Sequence, residues 1–211
     1  MATKPRSTIK RRLTLSLFAL AGVGAMQCVV GIYLQYSLSW NAQEQRAIAE
    51  AQVAQMESDM MHDAIRSDML ELASVHAAGD LTRAAKLEQD LAGHQARLDQ
   101  SIGEVAAKPL GEALNDPIKQ TRAGAAAYRS AASEGMRALR AGRPGEAALA
   151  PFNRQFEAFE ATQESLGAAL KTALQAKVDA AEANLAFATA LQLFSALIEV
   201  VSVIAAVLFV N

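Results

Sequence analysis

The sequence predicts an all-α protein: a membrane-anchored antiparallel four-helix bundle whose helices 1 and 4 continue into two transmembrane helices. Three observations predict it. Long apolar segments close both ends, at residues 13–34 and 185–210, and each meets the roughly 20 apolar residues that a bilayer core requires. No alternating strand pattern occurs between them, and alanine is abundant throughout. Glycine and proline fall in clusters that divide the middle into helix-length pieces.

The expected organisation is a basic tail at 1–12, a first span at 13–35, a bundle at 36–184 and a second span at 185–211. A cleaved signal peptide would carry only about 7–15 apolar residues before a small-residue cleavage site. Here the run is longer, and Ala25-Met26-Gln27-Cys28 lacks the small residue that lipoprotein processing needs before cysteine, so the segment reads as an anchor. Cys28 is the only cysteine, which excludes an intrachain disulfide or a cysteine-built zinc site; it is expected to be a buried, inert thiol.

Between Ile32 and Ala78 there is neither glycine nor proline, so helix 1 can run outward from the first span without interruption. Val53, Met56, Met60, Met61, Ala64, Ile65, Leu72 and Val75 recur at helical spacings and mark its expected buried stripe. Gly79 is the expected stop and Asp80 the cap of helix 2, which carries Leu87, Leu91, Leu98 and Ile102 and ends near Lys108-Pro109. Asn115-Asp116-Pro117 reads as the start of helix 3, with Asp116 as cap and Pro117 at the first helical position. Residues 141–145 form a turn, after which helix 4 passes Pro151 into the second span. A weak repeat relates Ala78-Gly79-Asp80 to Ala141-Gly142-Arg143, as the tips of two helical hairpins would.

Charge sets the orientation. Lys4, Arg6, Lys10, Arg11 and Arg12 precede the first span, and no acidic residue appears before Glu44, so the N-terminus is expected in the cytoplasm and the bundle outside. Residues 36–184 hold 15 Lys and Arg against 21 Asp and Glu, a formal charge of about −6, which argues against nucleic acid as a partner. Nothing resembles a phosphate loop, a zinc-protease motif or a nucleophile–base pair, so no enzyme and no cofactor are expected. The alanine-rich stripes leave a thin core, and pairing of two copies along helix 1 would add burial; the expected partners are a lipid bilayer, a second copy and a small ligand.

The densest set of chemically capable residues is Met60-Met61-His62-Asp63-Ala64-Ile65-Arg66-Ser67-Asp68-Met69-Leu70. Its core, from Met61 to Asp68, resembles a motif of the sensory half of bacterial methyl-accepting chemotaxis proteins of the four-helix-bundle type, as does the order anchor, bundle, anchor. The resemblance implies a homodimeric signal transducer of the bacterial inner membrane with a periplasmic ligand site between helices, working with a receptor array or a cytoplasmic output partner. Receptors of that group continue beyond the second span into a signalling coiled coil that these 211 residues do not contain, so the output is left open between a chemoreceptor, a histidine kinase and a cyclic-dinucleotide enzyme. A structural membrane coiled-coil protein that binds no ligand is the alternative outside sensing.

Counting along the helices identifies the site candidates. Arg66 stands 31 residues beyond Gln35 and Phe156 stands 31 residues before Phe187, which places them at one level. Arg66 offers a planar guanidinium suited to a carboxylate or a nitrate-like anion, and nitrate sensors of bacterial kinases resemble this in carrying an arginine on their first external helix. Asp63, His62, Gln155 and Phe156 complete the expected ligand set. Against it stand an ordinary Asp63–Arg66 helix pair, and simple core packing of Phe152, Phe156 and Phe159. His62 with Met56, Met60, Met61 and Met69 would suit Cu(I) or haem iron, but methionine at helical spacing is more often core. His76 and His94 are expected to face solvent. In the second span Glu199 is costly at mid-bilayer unless partnered, and its depth matches Gln27 to within about 4.5 Å, so a Gln27–Ser195 or Gln27–Glu199 hydrogen bond is expected.

Overall fold

The computed structural model of the protein describes residues 7–210. Of the expected basic tail, Lys4 and Arg6 lie outside the described residues, as does Asn211. The described chain is all-helical: α1 (Ser7–Ala78), α2 (Leu81–Ala106), a short 3-10 turn (Glu112–Leu114), α3 (Asn115–Arg140) and α4 (Gly145–Val210). Two helical stretches, Ser16–Ala78 and Gly145–Ala205, are long and apolar enough to cross a membrane. The chain divides into two compact units, Glu44–Ala176 and Met1–Gln43 with Lys177–Asn211.

The repeat noticed in the sequence is a repeat of backbone geometry. Gly79 (φ 72°) and Gly142 (φ 76°) both adopt the left-handed conformation that spares glycine the usual Cβ penalty. Around Gly79, the N–H of Asp80 reaches the Val75 carbonyl and that of Gly79 the His76 carbonyl, both at 3.2 Å. Around Gly142, Arg143 reaches Ala138 and Gly142 reaches Leu139, both at 3.0 Å. Each is the double closure that satisfies the last carbonyls of a helix. Asp80 then caps α2 as expected, its Oδ1 accepting from the Arg83 N–H at 3.0 Å.

The start of α3 differs from expectation. The helix begins at Asn115 with Leu114 in the cap position and no side-chain cap bond; Asp116 and Pro117 lie inside its first turn. The preceding 3-10 turn explains the shift, because the Asn115 N–H already bonds the Glu112 carbonyl and no cap is required of Asp116.

Within Glu44–Ala176 the helices pack antiparallel, as the pairing of their side chains shows. Gln163 meets Ser58 while Phe156 meets His62 between α4 and α1, and Arg129 meets Asp99 while Arg140 meets Glu88 between α3 and α2. One hydrophobic cluster draws on all four helices, with Ile65, Met69 and Leu72 from α1, Leu91 and Leu98 from α2, Tyr128 from α3 and Phe152 and Phe159 from α4. A second gathers Ile48, Ala51, Ala54, Val105, Leu114, Leu166 and Leu170.

The buried face of α1 holds Ile65, Leu72 and Val75 as expected, with Met61 and Ala64 half-buried, but the stretch from Val53 to Met60 is a correction. Val53, Met56 and Met60 are about two-thirds exposed, whereas Ile48, Ala51, Ala54, Ser58, His62, Ile65, Met69 and Leu72 are buried. Two stripes a fraction of a turn apart compete on this helix, and the winning one includes two polar residues. Scoring by hydropathy favours the losing stripe, because Ser58 and His62 disguise the real one.

In the unit formed by Met1–Gln43 and Lys177–Asn211, the Gln27 side-chain amide donates to Ser195 Oγ at 3.0 Å and to Glu199 Oε2 at 3.2 Å. Both expected hydrogen bonds are formed, so both amide hydrogens of Gln27 are used. Cys28 is exposed rather than buried, since Gln27 turns towards α4 and its neighbour turns away.

Candidate functional site

Three of the five expected ligand residues come together. The His62 ring stacks on Phe156 with centroids 4.0 Å apart and planes 11° from parallel. The Arg66 guanidinium carbon lies 4.1 Å from the centroid of the same Phe156 ring. His62 and Arg66 are four apart on α1, so one helical face presents both to one aromatic residue of α4. The level count from the sequence is met by this contact.

Burial separates the three chemically. His62 is 1% exposed and Phe156 is buried, whereas Arg66 is exposed. Tyr128 and Phe159 close around the His62 ring edge-on, each with its centroid 5.1 Å away. The Tyr128 hydroxyl donates to the His62 backbone carbonyl at 3.0 Å, which ties α3 to α1 at this level. Burial holds the Tyr128 phenol firmly in its protonated, donating form by pushing its pKa well up. Burial also pushes the His62 imidazole below its ordinary value, against weaker opposition from Asp63, the Phe156 backbone, Asp59 and Glu160. The ring is therefore neutral at pH 7, and its Nε2 is buried without a hydrogen-bond partner.

Arg66 is differently placed. Among the described residues no carboxylate pairs with it, Asp63 included, so the ordinary helix pair weighed from the sequence is not formed. Stacking on Phe156 orients the guanidinium while leaving its donors open to an incoming anion. Asp63 is exposed on the same helix. Gln155 is half-buried and lines a separate hollow of about 270 Å³ with Ala127, Ser130, Glu134 and Arg154, on the side of α4 that meets α3. Gln155 and Phe156 are adjacent and so point about 100° apart, which divides them between two faces.

The methionines divide in the same way. Met69 is wholly buried and Met61 packs against the core, while Met56 and Met60 are exposed. His94 and His76 are corrections: His94 Nδ1 lies 2.6 Å from Asp68 Oδ2, and His76 Nε2 lies 3.9 Å from Glu88 Oε1, both rings half-buried. Sequence reasoning missed Tyr128, the only tyrosine between α1 and the chain's end, whose isolation in an alanine-rich helix was the available signal. It also missed the buried pair Gln163–Ser58, joined at 2.6 Å.

Comparison with protein-family models, with curated proteins and with solved structures finds no match to this chain.

Proposed function

We propose that this protein is a membrane-anchored signal transducer of chemoreceptor type, whose external four-helix bundle takes a small anion beside Arg66. The observation that carries the reading is the Arg66 guanidinium, stacked on Phe156 and without a carboxylate partner in a region of net negative charge. An orienting aromatic ring with open donors is the arrangement that favours bidentate capture of a carboxylate or nitrate-like anion.

Anchoring is supported by chemistry on the two terminal segments. Phe18, Val29, Ile32, Phe187, Leu193, Phe194 and Leu197 are all more than half exposed, an apolar surface suited to lipid rather than water. Tyr33, Tyr36 and Trp40 are exposed at one end of the first segment, as an interfacial aromatic belt requires. The Gln27 bonds to Ser195 and Glu199 supply the partner that a mid-bilayer carboxyl needs. With α1 and α4 each continuous, a ligand that shifts α4 against α1 near Phe156 displaces the second span relative to the first. Two copies would meet along the exposed stripe of Val53, Met56 and Met60.

The test uses the full chain in phosphatidylcholine nanodiscs and a thermal-shift screen of amino acids, organic acids and nitrate. A carboxylate or nitrate-class anion is expected to raise Tm, and Arg66→Ala is expected to abolish that rise while leaving the unliganded Tm nearly unchanged. A shift that survives Arg66→Ala removes Arg66 from the site. A reporter fusion showing residue 100 in the cytosol overturns the transducer topology itself.

A further inference from the structure

We propose a second anion site, for a phosphate-bearing ligand, in the hollow where α2 hands over to α3. This hollow of about 360 Å³ is lined by Lys108, Lys119 and Arg122, with Asn115 at its edge and Leu110 and Ile118 as apolar walls. Its size falls within the range of small-ligand sites, and no carboxylate lines it.

Several cations of the unit are neutralised by a carboxylate of a neighbouring helix, Arg83 by Glu71, Arg97 by Glu57, Arg129 by Asp99 and Arg140 by Glu88, whereas Arg66 over Phe156 and Arg154 beside α3 are not. Lys108 is also held, its Nζ 2.5 Å from Glu50 Oε2. Among the described residues Lys119 and Arg122 have no such partner. They stand three apart on α3, so they share a face, and both border one concavity. Two uncompensated cations converge there although residues 36–184 carry about −6 overall.

Leu114 gives α3 no side-chain cap, but Asp116 stands in the first turn and the Asn115 N–H is already bonded to the Glu112 carbonyl, so the helix end adds little to the field of the two side chains. A phosphate group matches each element: the Arg122 fork takes two oxygens, Lys119 supplies a point charge and the Asn115 amide a neutral donor. Leu110 and Ile118 would receive the carbon skeleton attached to the phosphate. The phosphate could arrive on a free solute or as a phospholipid headgroup, and both present the same chemistry to the hollow.

The experiment measures the Tm of the full chain in nanodiscs in two arms, at constant ionic strength. In the first arm, phosphatidylcholine discs receive inorganic phosphate in place of chloride; in the second, discs contain phosphatidylglycerol and no free phosphate. Wild-type protein is expected to gain Tm in at least one arm, the first identifying a free phosphate ligand and the second a headgroup. Lys119→Gln/Arg122→Gln is expected to lose the gain, with phosphate binding, followed by 31P line broadening, weakened about tenfold or more. Arg143→Gln/Arg154→Gln removes the same charge elsewhere and is expected to keep it, as is Arg66→Ala. Arg122→Lys, which retains charge but not the fork, is expected to bind in between. Equal gains in wild type and Lys119→Gln/Arg122→Gln, equal losses in the two double variants, or no gain in either arm would each overturn the site.

Discussion

The core beside the two glycine turns is aromatic, whereas the core beside the α2–α3 link is smaller and wholly aliphatic. The first holds Tyr128, Phe152, Phe156 and Phe159 with Ile65, Met69 and several leucines; the second rests on Ile48, Ala51, Ala54, Val105, Leu114, Leu166 and Leu170. Between them each helix inserts one buried polar residue: Ser58 from α1, Ser101 from α2, Thr121 from α3 and Gln163 from α4. Ser101 bonds the Leu98 carbonyl, Thr121 the Thr162 carbonyl and Ser58 accepts from Gln163 Nε2, which leaves Gln163 Oε1 without a partner in the protein. One core is thus strong and aromatic, the other thin, with a polar layer between them. The Arg66–Phe156 contact belongs to the strong half, where a change at one ring is felt by three helices.

The largest expected effect breaks the aromatic half. Phe159 is wholly buried and touches both His62 and Tyr128, and Gly124 lets α3 approach so closely that a Cβ there would lie 3.1 Å from the Phe159 ring. Phe159→Ala is expected to cost about 3–5 kcal/mol through lost burial and the cavity left behind. Ala51→Gly in the thin half is expected to cost about 1 kcal/mol, chiefly as a helix-propensity loss. Urea unfolding of the full chain in detergent measures both, and equal costs would erase the distinction between the halves.

An intermediate effect sharpens the polar layer. Gln163 Nε2 donates to Ser58 Oγ, while Gln163 Oε1 has no partner in the protein. Ser58→Ala strands the donor as well and is expected to cost about 1–3 kcal/mol. Adding Gln163→Met removes both stranded atoms, so the double variant is expected to recover most of that loss. A double variant less stable than Ser58→Ala alone would show that the layer contributes more than it costs.

Much of the fold was legible because its signals are local. Gly79, Asp80, Gly142 and Pro144 mark the turns by conformational preference, and two apolar runs mark the terminal segments by length. The Gln27–Ser195 bond was legible because membrane depth ranks residues along one axis. What the sequence concealed depends on rotation about a helix. Ser58 and His62 occupy the buried face of α1 while Val53, Met56 and Met60 do not, and no hydropathy count prefers serine and histidine to valine and methionine. The same rotation separates Gln155 from Phe156, so Gln155 faces α3 while Phe156 meets His62 and Arg66 of α1. Lys119 and Arg122 were illegible for another reason: their significance lies in which carboxylates fail to reach them, and only the packed helices decide that.

The smallest effect tests the strong half from within, through His62. Its imidazole is depressed below the ordinary value of about 6.5 because burial among Phe156, Tyr128 and Phe159 disfavours the charged form. The unfolded chain therefore binds a proton that the folded chain refuses as the pH drops through that value. Stability from this group is fully present above pH 6.5 and declines below it, towards the lower folded value. Asp63, Asp59 and Glu160 soften the decline by favouring the cation, and Arg66 is the nearby cation on the same helix. His62→Gln is expected to flatten the dependence of Tm on pH below about 6.5, while His76→Gln and His94→Gln, which alter rings already facing carboxylates, leave the His62 slope in place. An unchanged slope in His62→Gln would mean that the aromatic cluster tolerates a charged ring, and that the strong half yields more easily than its packing implies.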